Sequence, residues 1–185
     1  MTIQRLFSLA LLFSPAFFVA PAIADGIKVG SPAPSFSLLD QYSKQHQLND
    51  YRGRWLVLYF YPKADTPGCT TEACEFRDDV FQLRKMNVAL LGVSTDDVQS
   101  QKEFSDKYHL PFSLLSDPDG AIASKYGSFK SFGSMRFASR HTFIIDPDGN
   151  ITRIYRNVSP KKHSDEIIAD LKTLGADSSQ KTSRQ

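Results

Sequence analysis

Trp55-Leu56-Val57-Leu58-Tyr59-Phe60-Tyr61 is an unbroken apolar run that stops at Pro62. Strict alternation would mark a strand with one wet face, whereas a continuous run suits a strand covered on both. Val88–Ser94 (VALLGVS) and His141–Ile145 (HTFII) have the same character. Between and around these runs lie helical patterns, from Pro67 to about Met86, at Val98–Tyr108 and at Ile122–Tyr126. A short strand is expected around Ser35–Leu38. Ile151–Asn157 alternates and reads as a strand with one wet face. Ser159-Pro160 is an N-cap and first-position pair for a last helix, which carries Ile167, Ile168, Leu171 and Leu174 on one face and stops at Gly175. Strands and helices that alternate in this way predict an α/β fold, a central mixed β-sheet flanked by helices.

The 185 residues suit a single domain, and 41% hydrophobic against 23% charged residues excludes disorder of the whole chain. Lys and Arg number 22 against 20 Asp and Glu, a balance that argues against nucleic acid as a partner. Two cysteines exclude a disulfide-stapled scaffold and a four-thiolate metal site. The four histidines are scattered without ligand spacing, so no metal is expected. Arg5 is the only charge before Asp25, and the apolar stretch Leu6–Val19 is followed by Ala22-Ile23-Ala24. That is the pattern of a cleaved secretory signal over residues 1–24, too short and too broken by Pro15 for a membrane span. The expected organisation is then a domain at 25–175 and a polar tail at 176–185. The mature chain would be exported, to the periplasm or a photosynthetic lumen, and free of the membrane.

The chemistry concentrates in Tyr59–Cys74, YFYPKADTPGCTTEAC. The strand ends at Pro62, and Thr66-Pro67 can cap and start a helix. Cys69 then falls near the third helical position, where unpaired backbone N–H groups and the helix dipole favour an anion. A thiol so placed should have a lowered pKa. Cys69, Ala73, Phe76, Val80 and Leu83 share one face, so Cys69 points to the core, while Cys74 lies about 140° round the helix and faces out. Glu72 reads as a solvated helix residue. Trp55, Tyr59 and Phe60 read as core, and His141 as packed or exposed. Taken alone, this pattern leaves Cys69 as a small core residue, a structural disulfide or redox chemistry all open. A bond closing so short a loop contributes only about 2 kcal/mol and would interrupt a well-patterned helix.

Pro62-x-x-x-Thr66-x-x-Cys69 matches the active-site motif of the peroxiredoxins, and Thr66-Pro67-Gly68-Cys69-Thr70-x-Glu72-Ala73-Cys74 resembles their Q-type, or bacterioferritin comigratory protein, subfamily. Ala33–Leu38, Leu48-x-Asp50-Tyr51-Arg52-Gly53, Leu115-Ser116-Asp117 and Arg140-x-Thr142-Phe143-Ile144-Ile145-Asp146 are also similar to the family pattern. The likeness runs from about Lys28 to Leu174. It departs at Ser43-Lys44-Gln45, where a Gly is expected in the early turn.

The resemblance implies a thioredoxin-like fold and a thiol peroxidase that needs no cofactor. It casts Cys69 as the peroxidatic residue and Cys74 as the resolving residue, joined in a redox disulfide during turnover. Thr66, Arg140 and the backbone N–H groups of Gly68 and Cys69 would face the peroxide, with Pro62 shielding the thiolate. Substrates would be hydrogen peroxide and organic hydroperoxides. Thioredoxin or an exported thioredoxin-like protein would be the reductant, and the enzyme a monomer. Without the motif, Arg140 would pass for a surface residue. Two other classes fit the same residues, a disulfide oxidoreductase on the same fold and a non-catalytic module with a static bond.

Overall fold

The computed structural model describes residues 27–176. The expected signal at 1–24 and the tail beyond residue 176 lie outside the described residues. Strand β1 (Ser37–Asp40) and β2 (Gln45–Gln47) form a hairpin, followed by a 3-10 turn at Leu48–Tyr51. Then come β3 (Trp55–Phe60), α1 (Pro67–Lys85), β4 (Val88–Ser94), α2 (Val98–Tyr108), β5 (Ser113–Ser116) and α3 (Ala121–Lys125). A hairpin of β6 (Phe129–Phe132) and β7 (Met135–Ala138) precedes β8 (His141–Ile145), β9 (Ile151–Tyr155) and α4 (His163–Thr173).

The seven-stranded sheet has the order β2-β1-β5-β4-β3-β8-β9. β3 pairs parallel with β4 and antiparallel with β8, so the sheet is mixed and β3 sits inside it. Every residue of β3 is buried, and its side chains divide by parity. Trp55, Val57 and Tyr59 pack with Phe76, Leu83, Phe104, Ile167 and Leu171, under α1, α2 and α4. Leu56, Leu58 and Phe60 pack on the opposite face with Phe36, Leu48, Ile122 and Tyr126. This division is the physical origin of the unbroken apolar run: both faces of the strand are covered.

Several sequence expectations shift. The first strand is Ser37–Asp40 rather than Ser35–Leu38, because Phe36 is taken into the core below the sheet. The last helix begins at His163 with Lys162 at its N-cap, not at Ser159-Pro160. Ser159 to Lys162 instead closes a turn through the Lys162 N–H and the Ser159 carbonyl (3.1 Å), which brings Asp165 and Glu166 into the first helical turn. Ala176, assigned to the tail, is fully buried against the core. The early turn that lacks the expected Gly places Ser43 at φ 61°, a left-handed conformation that glycine adopts more easily. Asp40 holds it there, its Oδ1 accepting from the Tyr42 and Lys44 amides (2.9 and 3.0 Å).

Gly92, in the centre of β4, lies between Tyr59 of β3 and Leu114 of β5. A Cβ there would meet the Tyr59 ring and hydroxyl and Leu114 Cδ2 at 2.8 Å. Gly92→Ala should therefore lower stability by about 1–3 kcal/mol through overpacking, read as a reduced midpoint in urea unfolding. An unchanged midpoint would mean that Tyr59 can move aside.

Candidate active site

Pro62 terminates β3 beside the centre of the sheet, and the chain then turns through Asp65 in a left-handed conformation (φ 57°) into α1. This short connection is pinned from two sides. The Ala64 amide donates to buried Asp96 (2.7 Å), and Lys107 and Tyr108 of α2 hold Asp65 (2.6 and 2.7 Å). Thr66 occupies the N-cap position, yet its hydroxyl does not cap the helix; it donates to the Lys63 carbonyl at 3.0 Å. The first helical bond runs from the Thr70 N–H to the Thr66 carbonyl (2.8 Å). The amides of Gly68 and Cys69 precede that bond and have no helical acceptor.

Cys69 is buried at 2% exposure and Cys74 is half-buried, both as free thiols. Arg140 approaches from the opposite wall. Register puts His141 across from Phe60, so Arg140 stands beside the end of β3 where Pro62 follows. One arm of its guanidinium, Nη2, donates to Cys69 Sγ at 3.3 Å, and the other, Nη1, forms a short ion pair with Glu72 Oε2. A Cβ on Gly68 would stand 3.2 Å from Arg140 Nη2, so the glycine leaves room for the guanidinium to lie close over the helix start. Pro62 and Arg140 line the mouth of a groove that opens to solvent.

Glu72 corrects the sequence reading most sharply. It is fully buried rather than solvated, because it lies at the edge of the apolar stripe, where Arg140 reaches across to it. Burial pushes its carboxyl up from 4.5 to about 7, with Arg140 opposing the rise. Its Oε1 makes no hydrogen bond to the described residues, which leaves the anion incompletely satisfied. His163 of α4 is a second residue that sequence alone does not single out. It bonds Thr142 Oγ1 through Nε2 (2.8 Å), and burial followed by the charge of Arg140 lowers its pKa to about 4. His163 is therefore neutral and puts no second cation beside the guanidinium. Helical spacing could have marked both as inward-facing, since Glu72 lies three residues after Cys69 and four before Phe76, and His163 four before Ile167; their polar partners emerge only from the contacts.

Among the described residues no group of three or more His, Cys, Asp or Glu could hold a metal, and no helix is long and apolar enough to cross a membrane. A buried thiol beside a guanidinium, at the start of a helix with open amides, suits attack on a neutral electrophile that becomes an anion as it leaves.

Residues 29–154 match the model of the AhpC/TSA family. The chain belongs to that family. Over 149 residues it is 42% identical to the putative peroxiredoxin bcp of Coxiella burnetii, an overlap of 78% of this chain and 99% of the relative. The crystal structure of peroxidoxin BcpB from Mycobacterium tuberculosis superimposes with a TM-score of 0.75 at 32% identity, covering 80% of this chain and 98% of that one. A structure of the Xanthomonas campestris bacterioferritin comigratory protein, which concerns alkyl peroxide reduction, gives a TM-score of 0.71 at 34% identity over 75% and 91% of the two chains. The protein is thus a peroxiredoxin of the Bcp kind, a thiol-dependent peroxidase on a thioredoxin-like fold.

The elevated Glu72 pKa has a consequence for stability. Between about pH 4.5 and 7 the folded peroxiredoxin keeps a proton that the unfolded chain releases. The contribution is full below 4.5 and is lost as pH rises through about 7. Urea unfolding of the wild type and Glu72→Gln should show the wild type losing as much as about 3 kcal/mol relative to the variant from acid to pH 8. A stability gap that does not change with pH would mean that Glu72 is ionised throughout.

Proposed function

We propose that Cys69 is the peroxidatic cysteine and Cys74 the resolving cysteine of an exported peroxidase acting on hydrogen peroxide and organic hydroperoxides. The observation that carries this reading is the Arg140 Nη2 contact to Cys69 Sγ at 3.3 Å, at the open-amide start of α1. The Cys69 thiolate attacks the terminal peroxide oxygen. A sulfur–oxygen bond forms, the O–O bond breaks, and the departing oxygen leaves as hydroxide or alkoxide and takes a proton to give water or an alcohol. Charge grows on that leaving oxygen, where Arg140 and the Gly68 and Cys69 amides can stabilise it. Thr66 has its O–H engaged with Lys63, so toward substrate it offers lone pairs that can accept the peroxide O–H. Pro62 limits access of water to the thiolate.

Cys74 then condenses with the Cys69 sulfenic acid, forming a disulfide and expelling water. A dithiol partner, thioredoxin or an exported counterpart, exchanges with that disulfide and leaves as its own oxidised form. The substrate range is supported by the relative from Xanthomonas campestris, studied for alkyl peroxide reduction. Export to the periplasm is supported by the basic, apolar and small-residue pattern of residues 1–24. We read the enzyme as a monomer that uses no cofactor. A static Cys69–Cys74 bond is set aside, since five residues of regular helix separate the two Cα atoms by about 8.5 Å against the usual 4.4–6.8 Å.

Rapid mixing with hydrogen peroxide tests the assignment. Cys69→Ser should lose peroxide reactivity altogether, because a hydroxyl is a far weaker nucleophile than a thiolate. Cys74→Ser should consume one equivalent and stop at the sulfenic acid, detected by mass spectrometry. Arg140→Ala should slow the first step by about 10²-fold or more. Equal reactivity of the wild type and Cys69→Ser would refute both cysteine roles.

A further inference from the structure

The groove outside Arg140 carries more positive charge than the peroxidase reaction uses. Pro62, Arg140, Phe137, Val158, Lys130 and Arg156 all line it, and none of its lining residues is acidic. Arg140 has Glu72 as its counterion. Lys130, on β6, and Arg156, just after β9, have no carboxylate partner among the described residues.

Arg156 is nevertheless positioned. Its Nη1 points at the Gly127 carbonyl (3.4 Å) and at His141 Nδ1 (3.3 Å). Ser128 Oγ also faces His141 Nδ1, at 3.0 Å. The Arg156 N–H directed at Nδ1 can only donate, which places the imidazole proton on Nε2. Burial and the charges of Arg156 and Lys130 lower the His141 pKa, so His141 is neutral and neither adds to nor cancels their charge. Two cations thus flank one neutral ring in a groove that also holds apolar Phe137 and Val158 and is lined by Arg140, whose guanidinium contacts the Cys69 sulfur. An anion between them would relieve their mutual repulsion, and Arg156 offers a planar fork for its oxygens.

We propose that Lys130 and Arg156 form a subsite for an anionic group, carboxylate or phosphate ester, borne by an organic hydroperoxide whose peroxide end reaches Cys69. The proposal rests on the thiol-peroxidase reading and names its preferred substrate class. The carbon body of such a substrate lies along Phe137 and Val158. The chemical step is the ordinary peroxidatic one: the thiolate takes the terminal OH, the alkoxide leaves and is protonated, and the anionic head passes through unchanged. Lys130 and Arg156 exchange neither electrons nor protons. They set which peroxides arrive in register.

The test compares a straight-chain hydroperoxy acid, a phosphate monoester of matched length and the methyl ester of the acid, measured by the rate at which each oxidises Cys69 of the full protein. At low salt at least one anion should react about fivefold faster than the ester. That advantage should fade near 1 M salt, where the Debye length is about 3 Å. In Lys130→Gln/Arg156→Gln the anion-to-ester ratio should fall to near 1. The faster anion identifies the head group. Equal rates for all three in the wild type, or a ratio that survives in the double variant, would overturn the subsite. Equal peroxide rates accompanied by reductant turnover that alone depends on Lys130 and Arg156 would also overturn it, and would give the groove to the reductant. No oxidation of Cys69 by any of the peroxides would instead remove the peroxidase reading itself, and this proposal with it.

Discussion

A single guanidinium bridges the two walls of the site. Arg140 enters from the start of β8, and its two arms end on Cys69 and Glu72, both in the opening turns of α1. The same contacts serve architecture and, on the proposed mechanism, chemistry. They bring a fixed positive charge to the sulfur, and they tie the beginning of the helix to the sheet. Gly68 leaves the room this approach needs, and the pinned turn at Ala64 and Asp65 fixes where the helix begins.

The tie is poised rather than rigid. Glu72 is buried with one oxygen unpaired among the described residues, and its raised pKa reflects the desolvation cost of its anion. Removing it to water would return part of that cost. Oxidation of Cys69 also changes the group that receives Arg140 Nη2. On the proposed cysteine roles, both changes favour release of the first turns once the sulfenic acid has formed, and release is what a Cys69–Cys74 bond requires. Below the site the helix is better anchored: Phe76 and Leu83 are fully buried against β3. On the proposed cycle, the helix start is the part that opens and the Phe76–Leu83 part the one that stays.

The strands and helices covering both faces of the sheet were legible in the sequence because their burial is local in pattern. Val88–Ser94, Val98–Tyr108 and His141–Ile145 coincide with β4, α2 and β8. The β6–β7 hairpin was not, since Phe132 and Met135 are exposed apolar residues and no alternation marks those strands. β2 spans only three residues, too few for a period. Cys69 and its place on the inward face followed from helix spacing. The Glu72 contact did not, because it depends on a partner 68 residues away that happens to reach that side of the helix. Thr66 was correctly placed at the helix start, but the choice its hydroxyl makes between the helix amides and the Lys63 carbonyl is settled by the shape of the turn.

Amide hydrogen exchange of the reduced and peroxide-oxidised protein bears most directly on a helix start that Arg140 holds and oxidation releases. In the oxidised disulfide form, exchange across Gly68–Glu75 should be faster than in the reduced form, with Phe76–Leu83 still protected. Formation of the Cys69–Cys74 bond with unchanged protection over Gly68–Glu75 would contradict a helix start that opens on oxidation.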